Sequence, residues 1–251
     1  MITSLRDYPQ HLAEKYAGIP LVYLDVPKVV VDDHFLETFN AMARPVLRLS
    51  KTNGYPFTRE EAEIKAQQES WFANEYEESG CNWKGVFLTP PTDRTMQHVF
   101  LDIDHYFPKL KQQILEYFPL KSIKTIRCWE NLKQIGLHRD LLDQYPFPTS
   151  LRVMLHDENP EPTFWMYPMP EQKLGWGYER IRVEDESKII QVDPWRQPSN
   201  AFIFNNRDWC HAAKKDPQYS KILMFVEGDW DWQRLEVLLD RSVAKHQQQH
   251  V

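Results

Sequence analysis

The chain changes its hydrophobic period near the middle. Up to about residue 120, apolar positions recur at helical spacing; beyond it they fall into short β-rich runs punctuated by Pro, Gly, Asn and Asp. In the first half, the pattern predicts a helix over 31–44 (VDDHFLETFNAMAR), with an Asp pair ahead of it as an N-cap. A second helix is expected over 58–78, where Thr58 and Glu61 have capping-box spacing. It is polar along much of its length, which suits an exposed helix or a mobile cover. A third is expected over 98–118, kinked or broken at Pro108. In the second half, strands are expected at 122–129, 150–157, 163–168, 178–184, 188–193, 200–206 and 220–228. With the segment around His138, the count is about eight, which suits a sandwich or small barrel. A helical pattern returns over 231–249. No internal repeat and no long linker interrupts the chain, so residues 1–251 are read as one domain. Its parts are helical support and lid (1–120), a β core (121–230) and a closing helix (231–251).

Composition narrows the function classes. Apolar residues make up 42% of the 251 residues, enough for a sizeable core, and 13% aromatics with nine Trp point to aromatic-rich interior surfaces. The net charge is −6 and no Lys/Arg stripe forms, which argues against a nucleic-acid partner. The three cysteines (Cys81, Cys128 and Cys210) lack CxxC spacing, so neither a disulfide framework nor a zinc–cysteine site is expected. No apolar stretch is long enough to cross a membrane, and the first residues lack the apolar run of a signal peptide. A soluble, cytoplasmic protein is expected.

The candidate chemistry starts in GLHRDLL, residues 136–142. On a strand, residues i and i+2 share a face, so His138 and Asp140 would project together. Alone, such a pair is most often a hydrogen-bonded surface contact. A second histidine, His211, follows the apolar strand AFIF (201–204) and a polar turn, and Lys221 lies ten residues after it. Two imidazoles and one carboxylate on one side of a metal form a facial triad, which suits Fe(II) and leaves positions open. The order H-x-D, distal His and then a basic residue ten on resembles that of Fe(II)/2-oxoglutarate-dependent oxygenases, which implies that two of those positions take bidentate 2-oxoglutarate and a third dioxygen. The far carboxylate of 2-oxoglutarate then needs a fixed cation, which Lys221 can supply.

The order H-x-D, distal His, then a basic residue ten positions on, with SLRVML (150–155) and AFIFNN (201–206) between, resembles the aspartyl/asparaginyl β-hydroxylase family and the related proline hydroxylases. The likeness spans about residues 122–228. It implies an α+β fold: a double-stranded β-helix (cupin/jelly-roll) core, N-terminal helices packed on one sheet, and a C-terminal helix. It implies that His138, Asp140 and His211 are catalytic and hold Fe(II), that 2-oxoglutarate and dioxygen are co-substrates, and that ascorbate acts as an activator. Two departures stand out. Lys221 replaces the usual Arg, a point charge in place of a fork, and Met154 replaces a histidine that helps hold the co-substrate. Arg152, which matches the family's LR arginine, is assigned to co-substrate or substrate, with a structural ion pair as the even alternative.

Asp140 fills the position that is small in related halogenases, which favours hydroxylation. The expected substrate is a free amino acid or amino-acid-like small molecule, ahead of a side chain within a peptide or protein. Trp165, Tyr167 and Trp209 are candidates for an aromatic wall against it, although such residues more often fill cores. The helix 58–78 and the loop 169–178 (MPEQKLGWGY) are candidates for a cover. A desaturase or epimerase would share the same ligands, a zinc hydrolase could use the same three, and a cupin-like metabolite-binding protein would bind without turnover.

Overall fold

The computed structural model describes residues 10–45, 47–48, 83–90, 96–97, 99–132, 135–138, 148, 151–168, 183–214, 216 and 218–247. Their fold is mixed α+β, built mostly from antiparallel strands. A large sheet runs in the order β1 (Leu21–Tyr23), β11 (Ala201–Phe204), β8 (Leu151–Asp157), β13 (Lys221–Trp230), β6 (Leu120–Asn131), β4 (Trp83–Phe87), β2 (Arg44–Pro45). A smaller sheet runs β10 (Ile190–Val192), β9 (Phe164–Pro168), β12 (Trp209–Ala213), β7 (Ile135–His138). A short pair joins β3 (Leu47–Arg48) to β5 (Met96–Gln97).

Strand periodicity divides the interior into layers. On β13, Ile222, Met224 and Val226 turn to one side and join Ile126 and Cys128 of β6 and Leu151, Val153 and Leu155 of β8. The helices cover that side. They are α1 (Gln10–Lys15), α2 (Phe35–Met42), α3 (Ile103–Tyr106), α4 (Pro108–Tyr117) and α5 (Trp232–Gln247), and Leu12, Phe35, Phe39, Leu110, Ile114, Leu235 and Leu239 belong to the same buried cluster. The other side of the large sheet faces the small sheet, where Phe202 and Phe204 pack with Phe164, Met166, Val192 and Ala213. The arrangement is a two-sheet sandwich with a helical layer on one outer face. No helix among the described residues is long and apolar enough to cross a membrane.

Several expectations meet a more specific outcome. The helix expected over 98–118 is two helices, broken at Phe107, with Pro108 in the first turn of α4, where its missing N–H costs nothing. The Asp pair does not cap α2: its N-cap is His34, with no side-chain cap bond. Asp32 instead accepts from the backbone N–H groups of Lys109 and Leu110 at 3.3 and 3.1 Å, so it caps α4, more than seventy residues away. The half read as helical also contributes β1 and β4 to the large sheet, through pairing with β11 and β6. A short segment such as WKGVF has too few positions to show a period, and the open edge of β6 decides its conformation. The terminal helix forms over Trp232–Gln247. The expected helix at 58–78, the loop 169–178 and most of the expected strand 178–184 lie outside the described residues.

Candidate metal centre

The two histidines at the heart of the sequence pattern are brought together by the small sheet. β12 and β7 pair antiparallel, and His211 stands directly opposite His138 in the ladder. Cross-strand partners have Cβ atoms roughly 4.5–5.5 Å apart, within the span of one shared ion. A β-bulge lies between this pair and the next, Ala213 with Ile135, where two residues of β12 answer three of β7. That extra residue changes the parity of β7. Ile135 packs in the inter-sheet cluster and Leu137 in the cluster on the outer face. Asp140 lies outside the described residues, two positions beyond the end of β7. No group of metal-binding side chains assembles among the described residues, a set that excludes this carboxylate.

His211 is buried, 8% exposed, and its ring lies against Phe204 at 4.5 Å and Phe164 at 5.8 Å between centroids. These rings hold the imidazole in an apolar, inter-sheet setting. Among the described residues the structure brings two imidazole-bearing positions into cross-strand register, nitrogen donors of the kind a ferrous facial triad uses.

Lys221, the first residue of β13, is 4% exposed. Its Nζ donates to Thr163 Oγ1 at 2.9 Å and lies 3.5 Å from the Thr163 carbonyl oxygen. Thr163 directly precedes Phe164, whose ring meets His211, and its carbonyl accepts from the Lys214 N–H at 2.9 Å. The cation is thus tied to the rim of the same strand group that holds His211. Arg152 is 2% exposed on the inner face of β8. Its guanidinium lies 4.1 Å from the Phe225 ring and 5.2 Å from Phe204, and Nη1 donates to the Leu151 carbonyl at 3.2 Å. The Phe204 ring therefore touches both His211 and Arg152.

The proposed aromatic wall divides. Trp209, two residues before His211 on β12, packs with the inter-sheet cluster. Tyr167 belongs instead to the cluster of Leu137, Cys210 and Ala212 on the opposite face, and Trp165 shares its strand parity. The sheet stands between these two side chains and His211. Met154 is buried, on the same face of β8 as Arg152. His156 sits near a strand end with Nε2 3.2 Å from Glu158 Oε1. His34 contacts the Tyr106 carbonyl at 2.7 Å and serves the helical layer.

Sequence reasoning missed Thr163 and Phe204 at this centre, and Arg127, Trp129 and Phe225 beside it. The signal for Phe204 was available: AFIF alternates, so Phe202 and Phe204 had to share a face. Nothing in the sequence marks Thr163, because its partner lies 58 residues away. No protein-family model matches the chain, and no curated protein matches it in sequence.

Proposed function

We propose that the chain is an Fe(II)/2-oxoglutarate-dependent dioxygenase that hydroxylates an unactivated C–H of a free amino acid or amino-acid-like small molecule. The observation that carries this reading is the register of His211 opposite His138. Two histidines so distant in sequence become cross-strand neighbours only if the topology demands it. The strand order supports the same reading. From β6 to β13 the chain alternates between the sheets, leaving the large one for the small one three times (β7, β9–β10 and β12), giving β11-β8-β13-β6 against β10-β9-β12-β7. That alternation is compatible with a double-stranded β-helix, the fold the oxygenase reading calls for, whose open end would take metal and co-substrate.

His138, His211 and Asp140 would hold the ferrous ion. The ferrous ion would supply activation of dioxygen, the oxidant, one of whose oxygen atoms would go to 2-oxoglutarate as it becomes succinate and carbon dioxide and the other to the substrate C–H. The chain's own work is placement. Lys221, oriented by Thr163, holds the far carboxylate of 2-oxoglutarate by charge and hydrogen bond. Arg152 supplies a second fixed cation on the inner face. Phe164 and Phe204 pack around His211 and exclude water from the reacting end. Two buried free thiols, Cys128 and Cys210, suit a reducing compartment such as the cytoplasm.

The test is anaerobic addition of Fe(II) and then 2-oxoglutarate. A visible charge-transfer band is expected, and it should vanish in His211→Ala. On admitting air, succinate should form in an iron-dependent manner. Binding without succinate release would point to a metabolite-binding protein. Hydrolysis dependent on zinc, with no band, would point to a zinc hydrolase.

A further inference from the structure

Beside the metal centre, the inner face of the large sheet carries a strip of alternating rings and guanidinium groups. From His211 the contacts run to Phe204, to Arg152, to Phe225, to Arg127 and to Trp129, at 4.5, 5.2, 4.1, 5.1 and 4.7 Å. The register explains the order. Phe225 of β13 stands opposite Arg152 on one side and Arg127 on the other. Trp129 follows Arg127 at i+2 on β6, and its ring packs against Trp83, Phe87 and Phe225. Arg127 is 7% exposed, and its Nη2 lies 2.8 Å from Oε1 of Glu227. Glu227 shares the face of Phe225 at i+2 and keeps a third of its side chain in solvent.

We propose that Arg127 and Glu227 form a receptor for the zwitterionic head of a free α-amino acid, with Trp129 and Phe225 packing on its carbon body. This deepens the oxygenase reading, and rests on it only for which end of the ligand meets the metal. The Arg127–Glu227 pair occupies the site in the absence of ligand. The Glu227 carboxylate stands where a ligand carboxylate would sit on the guanidinium. An incoming amino acid trades that one ion pair for two: its carboxylate takes Arg127 and its ammonium takes Glu227. Neither protein charge is left without a counter-charge in either state, which keeps the exchange inexpensive. A ligand with a carboxylate but no amine gains Arg127 while repelling Glu227. The site therefore selects against 2-hydroxy acids and N-acetylated amino acids by like-charge contact.

The experiment is direct binding, by ligand-observed NMR and thermal shift, with three probe sets: free L-amino acids, their N-acetyl forms and the matching 2-hydroxy acids. Wild-type protein, Arg127→Gln and Glu227→Gln are compared. At least one free amino acid is expected to bind wild type at least about tenfold more tightly than its N-acetyl and 2-hydroxy counterparts. E227Q should shrink that preference, and R127Q should weaken every carboxylate ligand by about tenfold or more. If no free amino acid binds, if the amine-free forms bind equally, or if E227Q keeps the full preference, the receptor is refuted. Wild-type selectivity and the E227Q variant, at a position one-third exposed, decide the matter even if R127Q does not fold. The iron and 2-oxoglutarate band is recorded on the same samples. Its absence from wild type would overturn the oxygenase reading whatever the panel shows. Its retention in E227Q would show that only the substrate head group has been altered.

Discussion

Thr163 is a small side chain with a specific task. Its hydroxyl accepts from Lys221 Nζ at 2.9 Å, in a place where the lysine is almost fully enclosed. Thr163→Val keeps the shape and removes that acceptor. A hydrogen bond to a charged group contributes roughly 1.5–3 kcal/mol. Under the proposed oxygenase reading, in which this contact orients the co-substrate clamp, the apparent KM for 2-oxoglutarate should therefore rise by about tenfold or more, with kcat changed less. Lys221→Ala should raise it further, and an unchanged requirement in both variants would move the clamp to Arg152. His211→Ala should abolish succinate formation while the far-ultraviolet circular dichroism stays that of the wild type. Cys128 calls for the opposite expectation. Burial pushes its thiol far above the usual cysteine range, so it should resist alkylation in the folded protein near neutral pH.

Two elements show where local sequence stops and packing begins. β4 lies beside β6 because Gly85 stands opposite Trp129; a Cβ there would meet Trp129 Cδ1 at 2.3 Å and the Cys128 carbonyl at 2.4 Å. Backbone cannot yield as a flexible side chain can. Gly85→Ala should cost about 1–3 kcal/mol in urea unfolding and disturb the Trp129 ring. α5 is fastened to α1 by Asp240, which accepts from Lys15 Nζ at 2.8 Å and the Tyr16 hydroxyl at 2.7 Å. The bond from Lys15, then that from Tyr16, hold the Asp240 carboxyl below its ordinary range. A depressed folded pKa stabilises above the unfolded value of about 3.9 and fades as pH falls through the folded one. Asp240→Asn should thus lower Tm at neutral pH, and its Tm should converge on that of wild type in strong acid. A constant difference across the range would remove the charge from this account. The segments legible in the sequence were those long enough to show a period, such as α5, β6 and β13. β1 and β4 were not, although β9, β10 and β11 are as short: they lie in the half dominated by helical spacing, and the sheet edge they join lies elsewhere in the chain.

At the scale of the whole molecule, the helical layer and the inter-sheet layer are separate clusters on opposite faces of one sheet. Leu235 of α5 is fully buried in the first. Leu235→Ala should cost about 2–5 kcal/mol of stability. The iron band per folded molecule should be unchanged, because the damage lies across the sheet from His211. If the proposed oxygenase reading holds, ligand binding acts in the other direction: Fe(II) with 2-oxoglutarate at about a hundredfold over Kd should add roughly 2.7 kcal/mol, and a chelator should remove it.

The chain's order alone determined that helices precede a strand-rich half, that Pro108 interrupts a helical run, that the last segment is a helix, and that His138, His211 and Lys221 stand out with metal-and-cation spacing. These are local properties, set by side-chain period and backbone restriction within a few residues. Which histidine faces which was decided by the pairing of β12 with β7 and by one extra residue in a bulge. The same folding put Tyr167 behind the sheet, gave Asp32 a helix other than its own to cap, and laid Arg127 beside Phe225. Such outcomes depend on register, and a shift of one residue exchanges the faces of a strand. Register is settled between strands far apart in the chain, where no local pattern reaches.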